Sequence, residues 1–498
     1  MDGTAWTSLV SLADAARGAL VTPLLNTPWG DVRDFWLGRI LDDRFLVIYF
    51  LPLMFVLRPV PIRWLRLAII VTSFAFITYL FGILYAGLWL LTCVGLFHLA
   101  ERFAIECRRT DVWKYGPPLA VGAIVGGWYV VTMSLHNVRL PEHVGNWLFE
   151  DLRWIYPLGA RGWAWEPDFP RLHDGRPGGP APQLVQALFW DVHIVGTAYL
   201  AVRMFQYLSE LKRDTIPRTQ RRLVDFLAWV CYGPTLIQGP IERYAEFNHQ
   251  IDTCHERRSW REVPPAVFRI AWGVGKSVVS TLYFQPVLWS QLGVGNDNRL
   301  WRHPEQIESF GLLYCGVFLV IFTLYLEFSG YCDVAIGMSR LLGYRVIENF
   351  RMPWRATSLR DFWRRWHISL SAILRDYVYI PLGGNRRRTL RNLLITFFLI
   401  GIWHRLIAQV ALWGLLMGLL VWINQRWAQW IKTLDQQSHG PLPALLRAVR
   451  RTRPLPTIAA WLLTQHAFVF SLLVFFGGWG AITVPREILR RIWQWLST

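Results

Sequence analysis

Residues 392 to 423 read NLLITFFLIGIWHRLIAQVALWGLLMGLLVWI, and this apolar stretch decides the fold. A helix needs about 20 apolar residues to cross a bilayer core of about 30 Å. The 32 residues here are therefore too many for one span and too few for two complete spans. Gly401 and the polar pair His404 and Arg405 lie where the break is expected. The sequence predicts a partial helix followed by a complete one, with His404 near their junction.

A helix that begins at the basic loop before Asn392 would carry His404 deep into the membrane. At a rise of about 1.5 Å per residue, the chain from Arg391 to His404 covers about 20 Å, which is short of a full crossing. A polar group without a partner in hydrocarbon costs several kcal/mol, so an imidazole there must be hydrogen-bonded, hydrated or used in chemistry. A buried imidazole also stays neutral and can accept a proton. His404 is the leading candidate for catalysis.

The composition is that of an integral membrane protein. Of the 498 residues, 53% are hydrophobic, 15% are aromatic and only 17% are charged, while the formal net charge is +18. The basic residues fall in short clusters between apolar runs, which is typical of cytoplasmic loops and argues against a nucleic-acid-binding domain. The clusters are Arg108 and Arg109, Lys212 to Arg222, Arg386 to Arg388 with Arg391, and Arg447 to Arg453.

The apolar runs predict an all-α, polytopic transmembrane bundle of about 10 to 12 helices, with broken or re-entrant helices around a central pocket. The segment CYGPTLIQGPIERY (231–244) places two Gly-Pro pairs in a membrane-like stretch and predicts one such broken helix. Residues 1–43 are expected to form an amphipathic, peripheral segment and residues 44–498 the membrane domain, with its core at about 231–424. Residues 135–183, rich in Pro, Gly and Trp, are expected to form an ordered loop.

Two further polar features lie within apolar surroundings. His367 belongs to DFWRRWHISLSAILRD (361–376), which predicts an amphipathic helix at a membrane or protein interface. Glu327 and Asp333 enter the apolar run LEFSGYCDVAIG (326–337), where carboxylates face the bundle interior, either in helix packing or in a pocket. The six cysteines show no metal-ligand spacing, so no metal site is expected.

Six motifs follow one another along the chain: PTLIQGPIERYAEF (234–247), SGYCDVAIG (329–337), ENFRMPW (348–354), DFWRRWHISLS (361–371), RDYVYIPLGGNR (375–386) and GIWH (401–404). Together they resemble the motif series of the membrane-bound O-acyltransferase (MBOAT) superfamily, in particular its alginate O-acetyltransferase-like branch. In that family the histidine of the WH motif is the presumed catalytic residue and the histidine of the RWH motif is a second important one. The resemblance assigns these roles to His404 and His367. Arg405 stands where the family usually has a small residue, and Glu327 where Asp is common.

The resemblance implies an MBOAT-type membrane domain that moves a short acyl group, with acetyl as the expected one, across the bacterial inner membrane. The donor would be a cytoplasmic thioester, either acyl-CoA or an acyl carrier protein, with no bound cofactor. The acceptor would be a hydroxyl of an exported polysaccharide or of a periplasmic partner protein. The membrane domain itself would be in contact with membrane lipids. The expected pocket-lining residues are Trp403, Asp333, Tyr331, Asn385 and Glu327.

Two alternatives remain open at this point. The acyl group could be transferred to a membrane lipid or to a small secreted molecule. A proton-coupled transporter also places an ionisable residue at the centre of a membrane bundle, although no internal repeat supports that class.

Overall fold

The computed structural model describes residues 43–81, 83–106, 195–236, 238–294, 299–404, 408–436, 440, 452, 454–477 and 480–497. These residues form helices and loops and contain no β-strand, which confirms the all-α prediction. The expected ordered loop at 135–183 and, apart from Asp43, the expected peripheral segment at 1–43 lie outside the described residues. Arg405 and the arginines of the first and last basic clusters lie outside them as well.

The N-terminal helices surround the segment that was predicted to be broken. They are α1 (Asp43–Leu57), α2 (Ile62–Phe81), α3 (Ile83–Glu106), α4 (Val195–Lys212), α5 (Leu223–Val230) and α6 (Tyr244–Asp252).

The central helices include the longest one in the described part of the chain, α10. Its N-terminus is capped by Ser309, whose Oγ accepts a hydrogen bond of 3.2 Å from the amide of Leu312. A tight approach holds α10 to α7, because a Cβ at Gly273 would lie only 2.4 Å from the carbonyl oxygen of Gly330. The central helices are α7 (Val263–Val279), α8 (Gln285–Ser290), α9 (Arg299–Arg302) and α10 (Phe310–Leu341).

The C-terminal helices carry both histidines of interest. They are α11 (Leu359–Trp363), α12 (Ile368–Leu374), α13 (Thr389–His404), α14 (Ala408–Gln436), α15 (Leu455–Gly477) and α16 (Gly480–Ser497).

Within the described ranges, three helices are long and apolar enough to cross a membrane: α10, α14 and α15. The helix α13 is apolar but shorter, with 16 residues. Its 16 residues followed by the 29 residues of α14 are the predicted partial helix and complete helix. The protein is therefore a helical membrane protein, and His404 is the last residue of the short helix.

The segment 231–243 interrupts the helical structure as predicted. The helix α5 ends at Val230, a short 3₁₀ turn covers Gly233–Thr235, and α6 begins only at Tyr244. The buried guanidinium of Arg203 compensates for the missing helical hydrogen bonds. It donates to the carbonyl oxygens of Val230 at 2.5 Å and Thr235 at 2.7 Å.

Two of the predicted basic loops meet at one end of the bundle. Arg213, at the end of α4, donates a hydrogen bond of 2.7 Å to the carbonyl oxygen of Asp376. Tyr377 donates one of 2.7 Å to Glu210 of α4. Both Asp376 and Tyr377 belong to a π-helical turn shortly before the arginine cluster that precedes α13. The loop after α4 and the loop before α13 thus lie on one face of the protein.

Candidate active site

The helices α13 and α14 form a hairpin whose backbones touch. A Cβ at Gly401 would lie 2.2 Å from the carbonyl oxygen of Val410, and one at Gly414 would lie 2.2 Å from that of Phe397. Only glycine permits so close an approach between helices. Because the two helices run in opposite directions, α14 returns toward the basic loop and leaves His404 at the far end of α13.

Aromatic rings from three helices surround His404, which is half-buried. Its ring centroid lies 4.6 Å from that of Trp403, 5.1 Å from that of Phe475 on α15 and 6.1 Å from that of Trp413 on α14. The Phe475 contact is edge to face, with an interplanar angle of 89°. Such packing holds the imidazole in place while removing it from bulk water.

The chain around His367 is not the single amphipathic helix that the sequence predicted. The helix α11 ends at Trp363 and α12 begins at Ile368, with His367 between them in the left-handed region at φ 45°. Backbone hydrogen bonds to another loop replace the helical ones. The amide of Ile368 donates to the carbonyl oxygen of Asn349 at 3.0 Å, and the amide of Arg351 donates to that of Arg365 at 2.9 Å. The helix breaks because this pairing satisfies the same backbone groups.

The break directs His367 into the protein interior, where only 3% of its surface is exposed. Its Nδ1 lies 3.3 Å from Oδ1 of Asn349, whereas its Nε2 is buried without a hydrogen-bond partner. Phe328 of α10 covers one side of the ring at a centroid distance of 4.9 Å. Burial, and to a lesser extent the neighbouring His404, lowers the pKa of His367. The imidazole is therefore neutral and has one nitrogen available to a ligand.

Trp403 joins the two histidines. Its ring lies 5.7 Å from that of His367 and 4.6 Å from that of His404, measured between centroids. Tyr199 of α4 approaches the same indole at 5.8 Å. The structure therefore brings the two histidines of distant motifs into contact with one indole, that of Trp403.

Tyr331 is connected to the site through Gly239 and Tyr199. A Cβ at Gly239 would be 3.4 Å from the Tyr331 ring, and the amide of Gly239 donates a hydrogen bond of 3.2 Å to the hydroxyl of Tyr199. Tyr331 thus packs beneath the non-helical segment that supports Tyr199.

The two carboxylates of α10 face α7 and the turn that follows it. Asp333 pairs with Lys276 at 2.5 Å and with Arg269 at 2.6 Å. Glu327 accepts hydrogen bonds from Ser280, at 2.9 Å, and from Gln285. On α10 it is Phe328, the chain neighbour of Glu327, whose ring contacts that of His367. Neither carboxylate makes this contact. Both carboxylates are thus engaged in contacts between helices.

Asn385 is not brought together with the histidines. It is exposed and accepts a hydrogen bond of 2.6 Å from Tyr379 in the loop before α13. His404 is at the other end of α13, about 22 Å away along the helix axis at a rise of about 1.5 Å per residue. This residue belongs to the basic face of the protein.

Sequence reasoning missed Asn349 as a contributor to the site. It lies in ENFRMPW, a motif already distinguished by the resemblance, but in a loop without hydrophobic periodicity. A fully buried asparagine in such a loop can be recognised only through its partners, which come from the region of His367. Among the described residues, no group of three or more His, Cys, Asp or Glu is arranged to hold a metal ion.

Comparison with known proteins agrees with the motif resemblance. The model of the membrane-bound O-acyltransferase family matches residues 181–463, more than half of the chain, including both histidines and Asn349. The probable alginate O-acetylase of Azotobacter vinelandii is 32% identical over 55% of this chain and 50% of its own length. The peptidoglycan O-acetyltransferase of Helicobacter pylori is 33% identical over 51% and 44%.

A third relative, the teichoic acid D-alanyltransferase of Bacillus subtilis, is 26% identical over 57% of this chain and 69% of its own length. The chain spans about half the length of the O-acetylating relatives that it matches. The residues that the family model matches, 181–463, include the hairpin that carries His404 and the break at His367.

Proposed function

Since the chain belongs to the membrane-bound O-acyltransferase family, we propose that it is an O-acyltransferase that modifies an exported glycan. The group transferred is a short acyl group, with acetyl as the expected one. The acceptor is a hydroxyl of the polysaccharide itself or of a periplasmic partner protein that completes the transfer. The names of two relatives, an alginate O-acetylase and a peptidoglycan O-acetyltransferase, support a glycan acceptor.

The observation that carries this proposal is the convergence of His367 and His404 on Trp403. Two imidazoles with different surroundings share an aromatic, mostly buried enclosure. Transfer from a thioester to an alcohol requires a base for the hydroxyl proton and the exclusion of water, which would otherwise hydrolyse the donor. The aromatic walls contributed by Trp413 and Phe475 serve the second requirement.

In the proposed reaction, His404 acts as the base. It removes the proton of the acceptor hydroxyl as the oxygen attacks the thioester carbonyl. The tetrahedral intermediate then collapses, the carbon–sulfur bond breaks, and the imidazolium returns the proton to the leaving thiolate. The products are the ester and a free thiol, so no covalent enzyme intermediate is needed.

The proposal takes the basic face of the protein as the cytoplasmic one. Arg213 and the arginine cluster before α13 place positive charge on one face, and such loops remain in the cytoplasm. The donor, acyl-CoA or an acyl carrier protein, then approaches from this face. The acceptor approaches from the opposite one, with the bacterial inner membrane as the location. In this proposal the two substrates meet at His404.

The test is a His404→Ala variant in cells that lack the native gene, with the O-acyl content of exported glycans as the measurement. His466→Ala is the matched control: this histidine also lies in a membrane helix, but its Nδ1 bonds to the carbonyl oxygen of Leu462 in its own helix, at 2.7 Å. We expect acylation to be lost in the first variant and kept in the second. Normal acylation by a stably inserted His404→Ala protein would refute the proposal.

A further inference from the structure

The side chain of Asn349 is fully buried beside His367 and takes part in a closed set of hydrogen bonds. Its Oδ1 accepts from the amide of Ser369 at 3.1 Å and from the Ser369 hydroxyl at 2.9 Å. The same oxygen faces Nδ1 of His367 at 3.3 Å. Its Nδ2 points to the sulfur of Cys332 at 3.4 Å. Asn349 therefore presents an acceptor, and no donor, to the histidine.

The orientation of this amide is fixed by groups that cannot reverse their roles. A backbone N–H can only donate, so the atom facing the amide of Ser369 must be the oxygen. The hydroxyl of Ser369 accepts a hydrogen bond of 3.0 Å from the amide of Ile241, which directs its own proton toward the same oxygen. Reversing the amide would place an NH₂ group against two donors.

We infer that Asn349 is a positioning residue that holds His367 as the Nδ1–H tautomer and leaves the lone pair of Nε2 free to accept a hydrogen bond from a second hydroxyl of the acceptor, beside the one that His404 deprotonates. Nδ1 faces an oxygen that can only accept, so it must carry the proton. Nε2, on the opposite side of the ring, is buried and has no partner. This inference rests on the proposed function, because it gives His367 the role of orienting the acceptor through that second hydroxyl, while the attacking hydroxyl keeps its proton for His404.

The loop that carries Asn349 is held in place on the N-terminal side of this residue. Glu242, from the interrupted segment, accepts a hydrogen bond of 3.0 Å from the amide of Ile347 and another from the hydroxyl of Tyr344. Arg269 of α7 bonds to Glu348 at 2.6 Å while also binding Asp333. The residue next to Asn349 is thus tied to the ion pairs of α10, which supports a fixed position for the amide.

The proposed reaction requires that Nε2 of His367 carry no proton. A hydroxyl that attacks a thioester must direct its proton to a base and hold its oxygen lone pair toward the carbonyl carbon. If His367 carried its proton on Nε2, it would donate to the hydroxyl oxygen and reduce its nucleophilicity. With the Nδ1–H tautomer, Nε2 instead accepts from the second hydroxyl and leaves both the proton and the lone pairs of the attacking hydroxyl free, which makes the identity of residue 349 important for turnover.

The direct test is nitrogen-15 NMR of the full-length protein in lipid, with labelled histidine and with the His367 signals assigned by their loss in His367→Gln. We expect a protonated Nδ1 and an unprotonated Nε2 in the wild type. We expect a mixture of tautomers in Asn349→Leu. A wild-type His367 protonated at Nε2 would overturn the inference, whatever the activity of the protein.

Kinetics supply the second measurement. Asn349→Leu should lower kcat by about 10²-fold or more, with a smaller change in KM. Asn349→Asp keeps an acceptor opposite Nδ1, so it should retain most of the turnover, and its carboxylate should move the acid limb of the pH profile to higher pH. Asn248→Leu, at another fully buried asparagine whose partners are Tyr244 and Arg66, controls for a loss of stability.

The outcomes separate the inference from the proposed function. Equal loss of kcat in Asn349→Leu and Asn349→Asp, with unchanged tautomers, would refute the positioning role while leaving His404 as the base. Full acylation by His404→Ala would instead refute the proposed function, although the NMR result for His367 would stand.

Discussion

The indole of Trp403 meets the imidazole of His367 edge to face, at a centroid distance of 5.7 Å and an interplanar angle of 71°. Trp403 belongs to α13 and His367 to the break between α11 and α12, and the ring of His404, the chain neighbour of Trp403, lies 4.6 Å from the same indole between centroids. Trp403 therefore sets the spacing between the two histidines, and the site depends on how α13 ends.

Replacing Trp403 should separate a loss of catalysis from a loss of folding. Trp403→Leu removes the ring that both histidines touch, and an aromatic pair contributes about 0.5–1.5 kcal/mol beyond its buried area. We expect kcat to fall by about 10-fold or more while the protein still inserts and folds, whereas Trp403→Phe should retain most of the turnover. Trp430→Leu, at an exposed tryptophan of α14, is the control. An unaltered kcat in Trp403→Leu would show that the indole does not organise the site.

We predict that Asp333 contributes to the stability of the fold and does not take part in substrate binding. Its carboxylate holds Lys276 at 2.5 Å and Arg269 at 2.6 Å in largely buried surroundings, and removing one partner of a buried ion pair costs about 3–5 kcal/mol. Asp333→Asn should therefore lower the unfolding temperature in detergent and the yield of folded protein. The molecules that fold should retain their KM.

The control for Asp333 is Glu262→Gln, which breaks an ion pair with Arg340 at a more exposed position, with 28% and 39% of the two side chains accessible. Such pairs contribute about 0–1 kcal/mol. An Asp333→Asn protein with wild-type thermal stability but without activity would place Asp333 in the catalytic pocket after all.

The sequence predicted that His404 lies on a short apolar helix that begins near the basic loop. The length of that helix follows from its apolar run alone, and so does the interruption caused by the Gly-Pro pairs near residue 233. These are local properties. The break at His367 was not predictable in this way, because it results from backbone pairing with residues 349–351, which no local pattern reveals.

The sequence also did not predict toward which neighbouring helix a side chain points. The apolar surroundings of Glu327 and Asp333 indicated correctly that both carboxylates point into the bundle, but several helices line the interior. Only the structure shows that they face Ser280 and Lys276 of the α7 region, while Phe328 faces His367. Asn385 shows a related limit along the chain. Its motif lies close in sequence to that of His404, which suggested a place in the pocket, but the site lies at the other end of α13.

The protonation of Glu242 should make stability depend on pH. Burial raises the pKa of this carboxyl from its ordinary value of 4.5 to about 7. Between these two values the folded protein holds a proton that the unfolded chain releases, so this contribution to stability is present at low pH and is lost as the pH rises toward 7. The slope is at most about 1.4 kcal/mol per pH unit.

The measurement compares wild type with Glu242→Gln by thermal unfolding in detergent at pH 5, 6 and 7. Gln cannot titrate, so the fall in unfolding temperature with rising pH should be smaller in the variant. The amide also loses one of the two oxygens that serve Tyr344 and Ile347, so the variant should be less stable at every pH. Parallel pH dependences in the two proteins would show that Glu242 is already ionised in the fold.

The glycine contacts between α13 and α14 should control catalysis from a distance. A Cβ at Gly414 would lie 2.2 Å from the carbonyl oxygen of Phe397, so Gly414→Ala must push the two helices apart. Overpacking of this kind costs about 1–3 kcal/mol, which outweighs the gain of about 1 kcal/mol that alanine brings to a helix. The separation also moves His404 relative to His367, and a shift of about 1 Å can lower a rate by about 10²-fold.

Gly95→Ala is the matched control, because Gly95 lies within α3 and a Cβ there would meet nothing within 4 Å. We expect Gly414→Ala to lower both the unfolding temperature and kcat, and Gly95→Ala to leave kcat unchanged with equal or higher stability. If Gly414→Ala kept the wild-type kcat and stability, the two helices would have to tolerate a wider spacing than the structure shows. The position of His404 would then be set by its aromatic neighbours Trp413 and Phe475 alone, independently of the hairpin.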